Sequence, residues 1–232
     1  MTTSGKDNSI PGAVVSRLTK YLTHAQVLRG EGVQWVSSSE LGEELGLTSA
    51  TVRKDLAHVS VGGITNRGYE VTVLCDALLS FLGVDVGWNA IVVGAGNLGK
   101  ALALHGELFR HGFAICGVFD SDGRKVGMRV GGLTVRPMSE LAATIHDERV
   151  DIGVIAVPAA AAQSVADLLI ISGIRGLLNL SLIHIVAPSN VPVVDGRLVA
   201  RMLELGHAVR TSAARGDTSD YRLGRVGRSE DA

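Results

Sequence analysis

One stretch constrains this chain more than any other. From Trp88 an apolar run, Ala90-Ile91-Val92-Val93, breaks into Gly94-Ala95-Gly96-Asn97-Leu98-Gly99, continues as Lys100-Ala101-Leu102-Ala103-Leu104, and resumes as Phe113 to Phe119, ending on Asp120. The order is strand, glycine turn, helix, strand, acid. Gly94 permits the tight turn, Gly96 lacks the Cβ that would block a pyrophosphate, and Gly99 lets the helix pack close to the strand. The helix N-terminus offers unpaired N–H groups and a positive dipole end to phosphates. Asp120 follows Gly99 by 21 residues, at a strand tip where a carboxylate can accept both ribose hydroxyls of NAD and repel the 2′-phosphate of NADP. Arg124 and Lys125 lie just beyond it and are the groups that can soften that preference. A glycine triplet alone is a weak signal; here both strands, the helix and the acid fall in register with it.

A nucleotide unit that starts at residue 88 leaves a whole small domain in front of it, so a length of 232 residues reads as two modest domains. A hydrophobic content of 46% with a net charge of −1 describes an ordinary globular protein and demands no polyanionic partner. The most apolar stretch, Ile152 to Ala166, is 15 residues long and carries Pro158, which is too short to span a bilayer, so no membrane is expected. Met1 to Ser9 is polar and lacks the apolar core of a secretory signal. The two cysteines, Cys75 and Cys116, read as buried free thiols in a reducing cytoplasm.

In the leading segment, Val14, Val15, Leu18, Leu22, Ala25 and Leu28 recur at helical spacing after Pro11. Ser37-Ser38-Ser39-Glu40 forms a capping box for a short helix, Gly46-Leu47 turns the chain, and Thr48 caps a third helix running to about Val59. That third helix turns Val52 and Leu56 inward and leaves Ser49, Thr51, Arg53 and Lys54 outside. Val61 to Val71, with turn residues Asn66 to Gly68, reads as a hairpin. A helix-turn-helix plus hairpin is a winged helix, whose third helix enters the major groove of DNA. The charge is against this: residues 1–85 hold seven Lys/Arg and nine Asp/Glu, so DNA affinity requires the bases to be segregated on one face. Residues 47–69 carry Arg53, Lys54 and Arg67 against Asp55, which fits segregation. The alternative is a helical dimerisation module with no nucleic-acid partner.

Past Asp120, Thr134-Val135 reads as a strand and Met138 to His146 as a helix. Asp151 to Val157 reads as a buried parallel strand ending at Pro158, with Ala156, Val157 and Pro158 where ligands sit in open α/β sheets. Ala159 to Ile171 is a covering helix, Gly176 to Leu180 a strand with Asn179 near its end, and Val191 to Asp195 an edge strand. Gly196 to Arg210 is a closing helix, apolar nearly all round, which needs burial on more than one side; a second subunit or its own sheet can supply it. The tail from Ser212 reads as disordered.

Several segments together resemble the Rex family of redox-sensing transcriptional repressors over about residues 10–210. They are Val36-Ser37-Ser38-Ser39-Glu40-Leu41, Thr51-Val52-Arg53-Lys54-Asp55-Leu56, Trp88-Asn89, Phe119-Asp120, Ile155-Ala156-Val157-Pro158-Ala159 and Gly173-Ile174-Arg175-Gly176. The resemblance implies a winged helix-turn-helix over 10–72, a linking helix and hinge over 73–87 and a Rossmann-like parallel-sheet domain over 88–195. It further implies a C-terminal helix over 196–211, exchanged in a homodimer, before the tail of 212–232. It also implies binding of NAD and NADH, with operator DNA held in the NAD state and released when NADH closes the dimer. The expected cofactor residues are Gly94, Ala95, Gly96, Asn97, Leu98, Gly99, His105, Asp120, Arg124, Lys125, Ala156, Val157, Pro158 and Asn179. The expected DNA residues are Ser38, Ser49, Thr51, Arg53, Lys54 and Arg67; no catalytic or metal-binding residue is expected.

The chain departs from that pattern at four places. Ile64-Thr65 stands where the family usually has Lys-Arg in the wing, and His105-Gly106 where it often has Tyr-Pro. Arg197-Leu198 stands where an aspartate opens the closing helix, and Asn179-Leu180-Ser181-Leu182 replaces Asn-Phe-Ala-Pro. In the family that aspartate can pair across the dimer with an arginine matching Arg17, so Arg197 there implies repulsion. The alternatives are a cofactor-binding paralogue with altered DNA recognition, and an NAD-dependent dehydrogenase using His105 or, more remotely, His184 as acid/base. The 112 residues after Asp120 are mostly needed to finish the nucleotide fold, which leaves little for a substrate domain.

Overall fold

The computed structural model describes residues 10–196 and 198–214. The chain divides into two compact units at Ala90 and Ile91, with Leu104–Cys116 returning to the first.

The first unit is built on α1 (Gly12–Gly30), α2 (Ser38–Leu45), α3 (Ser49–Leu56) and α4 (Val71–Phe81). The capping box exists as read: the Glu40 N–H donates to the Ser37 hydroxyl, and the Ser37 N–H donates back to the Glu40 carboxylate. Gly46 closes α2 in the left-handed region at φ +65°, and Thr48 accepts from the Thr51 N–H to open α3. A short 3-10 turn, Ala57–Val59, extends α3. Leu18, Tyr21, Leu41, Val52, Leu56, Leu74 and Leu78 form its core. Since Leu74, Cys75 and Leu78 of α4 belong to that core, the helix read as a linker is an integral wall of the head.

The hairpin expected over Val61 to Val71 is much reduced. Only Ile64 and Gly68 bridge across the turn, and β2 (Tyr69–Glu70) pairs instead with β1 (Trp35–Val36), antiparallel, at Val36↔Tyr69 and Trp35↔Glu70. Gly62-Gly63 give the outgoing strand no side chains to pair across a ladder.

A seven-stranded sheet is ordered β5-β6-β4-β3-β7-β8-β9, from β3 (Trp88–Val93), β4 (Phe113–Asp120), β5 (Arg129–Val130), β6 (Leu133–Pro137), β7 (Ile152–Ile155), β8 (Gly176–Asn179) and β9 (Val193–Asp195). The pairs β4–β6, β7–β8 and β8–β9 are parallel, and β5 is antiparallel to β6. The helices are α5 (Asn97–Ala103), α6 (Gly106–Arg110), α7 (Leu141–Asp147), α8 (Ala159–Ile171) and α9 (Leu198–Ala214). Ile91, Phe119, Leu141, Ile155, Ala162, Ala166 and Leu169 form one core. β5 and α6 were not expected from the sequence, and α9 runs to Ala214, into the segment read as disordered; residues 215–232 and Arg197 lie outside the described residues. α9 does not bury itself on its own sheet: Leu198 and Leu203 are each 71% exposed. Among the described residues no helix is long and apolar enough to cross a membrane.

Candidate functional site

After β3 the chain crosses to β4 on one side, and later to β7 on the other, so the strand order reverses beside β3. In open α/β sheets this switch point is where a crevice opens at the carboxyl ends of the strands. A cleft of about 540 Å³ lies there, lined by the glycine turn after β3, by Asp120, Ser121, Asp122 and Lys125 after β4, by Met138, by Ala156, Val157 and Pro158 after β7, and by Leu180 after β8. Its volume is in the range of small-molecule and cofactor sites.

The glycine turn is fixed by close backbone approach. Gly94 has φ +109°, and a Cβ on it would collide with the Ala156 carbonyl. A Cβ on Gly99 would collide with the Gly94 carbonyl and sit 3.2 Å from Val92 Cγ1, which is the close helix packing read from the sequence. Nothing lies within 4 Å of the Cβ position at Gly96, so the space a phosphate group would enter beside it is open. Gly96, Asn97 and Leu98 line the cleft, whereas Gly99 lies buried behind it and Ala95 is 1% exposed.

The Asp120 carboxylate accepts three hydrogen bonds, each 2.8 Å: from the Ala95 N–H and Lys125 Nζ on Oδ2, and from the Asp122 N–H on Oδ1. Burial pushes its pKa up, but these donors outweigh it and hold the carboxyl below the usual aspartate range. Lys125 thus lies against the acid, where it offsets part of the charge a 2′-phosphate would meet. Arg124 does not line the cleft: it is 90% exposed and grips Asp122. Its hydrogen bonds hold the Asp122 carboxyl down to about 2. Asp122, Ser121, Met138 and Leu180 are lining residues that sequence reasoning missed; for Asp122 and Ser121 their place next to an acid-ended strand was the available signal.

Asn179 and His105, also expected at the cofactor, have the following surroundings. Asn179 is fully buried, and its amide nitrogen donates to the Ile183 carbonyl and the Asp195 carboxylate while its oxygen accepts from the Ser181 N–H and hydroxyl. With those partners it fixes the loop after β8, because a buried amide must be satisfied. His105 is exposed at the N-cap of α6 and groups with the first unit; His184 is exposed in the second. Among the described residues no histidine lines the cleft and no cluster of potential metal ligands occurs.

In the head, Arg53 Nη1 donates to the Ser38 hydroxyl at 3.0 Å, so the start of α2 and the exposed side of α3 share one face. Lys54 is exposed, Ser49 is half-buried at the start of α3, and Thr51 exchanges a hydrogen bond with Thr48. Arg67 Cζ lies 4.0 Å from the Trp35 ring centroid. Beneath that face Arg17 holds Asp55 through Nε and Nη2 at 2.6 and 2.8 Å, and the Tyr21 hydroxyl donates to the same carboxylate.

These features define a two-unit α/β protein with a helix-turn-helix head and a glycine-turn cleft of the dinucleotide type. Residues 85–183 match the family model for a CoA binding domain, and residues 9–57 match the model for a putative DNA-binding protein N-terminus. The redox-sensing transcriptional repressor Rex of Carboxydothermus hydrogenoformans is 42% identical over 200 residues, covering 86% of this chain and 93% of that protein. The crystal structure of the Rex-family repressor RSP in complex with β-NAD+ and operator DNA superposes with a TM-score of 0.83 at 29% identity, covering 92% of this chain and all of that one. RSP in complex with β-NADH gives a TM-score of 0.81 at 29% identity, covering 94% of this chain. The chain belongs to the Rex family of redox-sensing transcriptional repressors.

Proposed function

We propose that this chain is an NAD(H)-binding repressor that holds operator DNA as a homodimer and releases it as NADH rises. The observation that carries this reading is the cleft at the strand switch point, in which an open-sided glycine turn and the buried, ionised Asp120 face the same space. In it, Gly94 to Leu98 receive the phosphates, Asp120 with Lys125 receives the adenosine ribose, and Ala156, Val157 and Pro158 form the opposite wall. The two oxidation states differ by the charge on the nicotinamide ring, and only a difference in their affinity for two dimer arrangements can move DNA binding; about 1–3 kcal/mol of coupling is typical.

The DNA face consists of Ser38, Ser49, Thr51, Arg53, Lys54 and Arg67. The homodimer reading is supported by α9, whose Leu198, Met202, Leu203 and Val209 are 71, 59, 71 and 61% exposed. Such an exposed apolar helix marks a protein interface. A regulator is favoured over a dehydrogenase because the same chain carries a helix-turn-helix head and its relatives are named transcriptional repressors. The test is retardation of operator duplex by wild type and Arg53→Ala, with NAD affinity measured in parallel. Loss of retardation with unchanged NAD binding is expected; equal retardation by both proteins contradicts the DNA assignment.

A further inference from the structure

Two exposed arginines of the head, Arg53 and Arg67, are held by one four-residue segment. Trp35 ends that segment on one side, with the Arg67 guanidinium 4.0 Å from its ring centroid. Ser38 ends it on the other, accepting from Arg53 at 3.0 Å. Between them Val36 is buried, and Ser37 caps α2. Ile64 and Thr65 bring no charge to the wing turn, so Arg67 is its one cation. Burial pushes the Tyr69 phenol up while the Arg53 charge draws it down, so the Arg53 charge is felt at the wing root.

We propose that Trp35 is a positioning residue for DNA-backbone contact, holding Arg67 at one end of the segment whose other end, Ser38, holds Arg53, so that the two arginines act together on the phosphates where Ile64 and Thr65 supply no charge. This rests on the DNA-binding reading above. Stacking engages the face of a guanidinium and leaves its in-plane N–H donors for a phosphate. An arginine already held on a ring also loses less side-chain freedom on binding than a free one.

The experiment begins with wild-type protein and NAD selecting duplexes from a random-sequence pool; the enriched duplex then serves as the anisotropy probe over a KCl series. Full-length Trp35→Leu, Trp35→Phe, Arg67→Ala and the Trp35→Leu/Arg67→Ala double variant are compared. Arg67→Ala is expected to reduce the slope of log K against log[salt] by about 0.9. Trp35→Leu is expected to weaken binding several-fold, Trp35→Phe to restore most of it, and the double variant to bind no worse than Arg67→Ala alone. NADH affinity is expected to stay unchanged throughout. An unaltered salt slope in Arg67→Ala overturns the proposal, as does a Trp35→Phe variant as weak as Trp35→Leu, or losses that multiply in the double variant. Enrichment of no duplex by wild type refutes the DNA-binding reading itself, and the proposal falls with it.

Discussion

Arg17 in α1 reaches across the head to Asp55 in α3, and the Tyr21 hydroxyl closes on the same carboxylate at 2.9 Å. Asp55 is 2% exposed, so this pair ties the helix that carries Arg53 and Lys54 to the floor of the head. Removing the acid leaves the buried hydroxyl and the arginine without their acceptor. Asp55→Ala is therefore expected to lower stability by about 2–4 kcal/mol and to weaken DNA binding, read by urea unfolding and anisotropy.

The same pair sets an acid dependence. Hydrogen bonding from Arg17 dominates over desolvation and lowers the Asp55 pKa, with Tyr21 adding to it. A carboxylate with a depressed folded pKa contributes fully above its unfolded value of about 3.9, and that contribution is lost as pH falls toward the folded value. The stability gap between wild type and Asp55→Asn is expected to be constant from pH 7 to about 5 and to shrink below about 4. A gap that persists unchanged to pH 2 contradicts this assignment.

At the cleft, Lys125 lies 2.8 Å from the Asp120 carboxylate, and their competing charges are expected to set cofactor discrimination. Loss of a charge-assisted acceptor for ribose is expected to reduce NADH affinity about 10- to 100-fold in Asp120→Ala. Lys125→Met leaves the acid less neutralised, so NADPH is expected to lose more affinity than NADH. NADH and NADPH fluorescence titrations of both variants check each direction.

The backbone around the glycine turn leaves no room for a side chain at its first residue. Gly94→Ala places a methyl against the Ala156 carbonyl at a φ of +109°. It is expected to destabilise the second unit by more than about 1 kcal/mol and to abolish NADH binding. Differential scanning fluorimetry with and without NADH reads both effects; a variant that melts and binds like wild type contradicts the geometry.

The apolar face of α9 gives an assembly test. Met202→Glu with Leu203→Glu puts two charges on residues that are 59 and 71% exposed in one chain, so the isolated fold gains nothing to lose. Light scattering on a sizing column is expected to show a dimer for wild type and a monomer for the double variant, with NADH binding retained.

Much of this arrangement was legible in the sequence because its signals are local. The Ser37–Glu40 capping box, the Thr48 cap and the limits of α8 follow from residues within a turn of one another. The glycine turn and Asp120 were legible because each position has a separate steric or charge requirement. What the sequence does not show depends on distant partners. Tyr69–Glu70 is a strand within the segment read as a hairpin, but its partner is Trp35–Val36 rather than the neighbouring strand. Asn179 reads as a ligand residue at a strand end, and its partners Ser181, Ile183 and Asp195, up to 16 residues away, are not legible locally. β5 and α6, with two and five residues, are too short to show a period.

The most direct measurement is anisotropy of the selected duplex with wild-type protein at fixed salt and fixed NAD, titrated with NADH. A decline in bound DNA that saturates with NADH, and that Asp120→Ala shifts to higher NADH, is the expected result. Bound DNA that stays constant while NADH fluorescence shows the cleft filling contradicts the coupling of cofactor to DNA on which the proposed function rests.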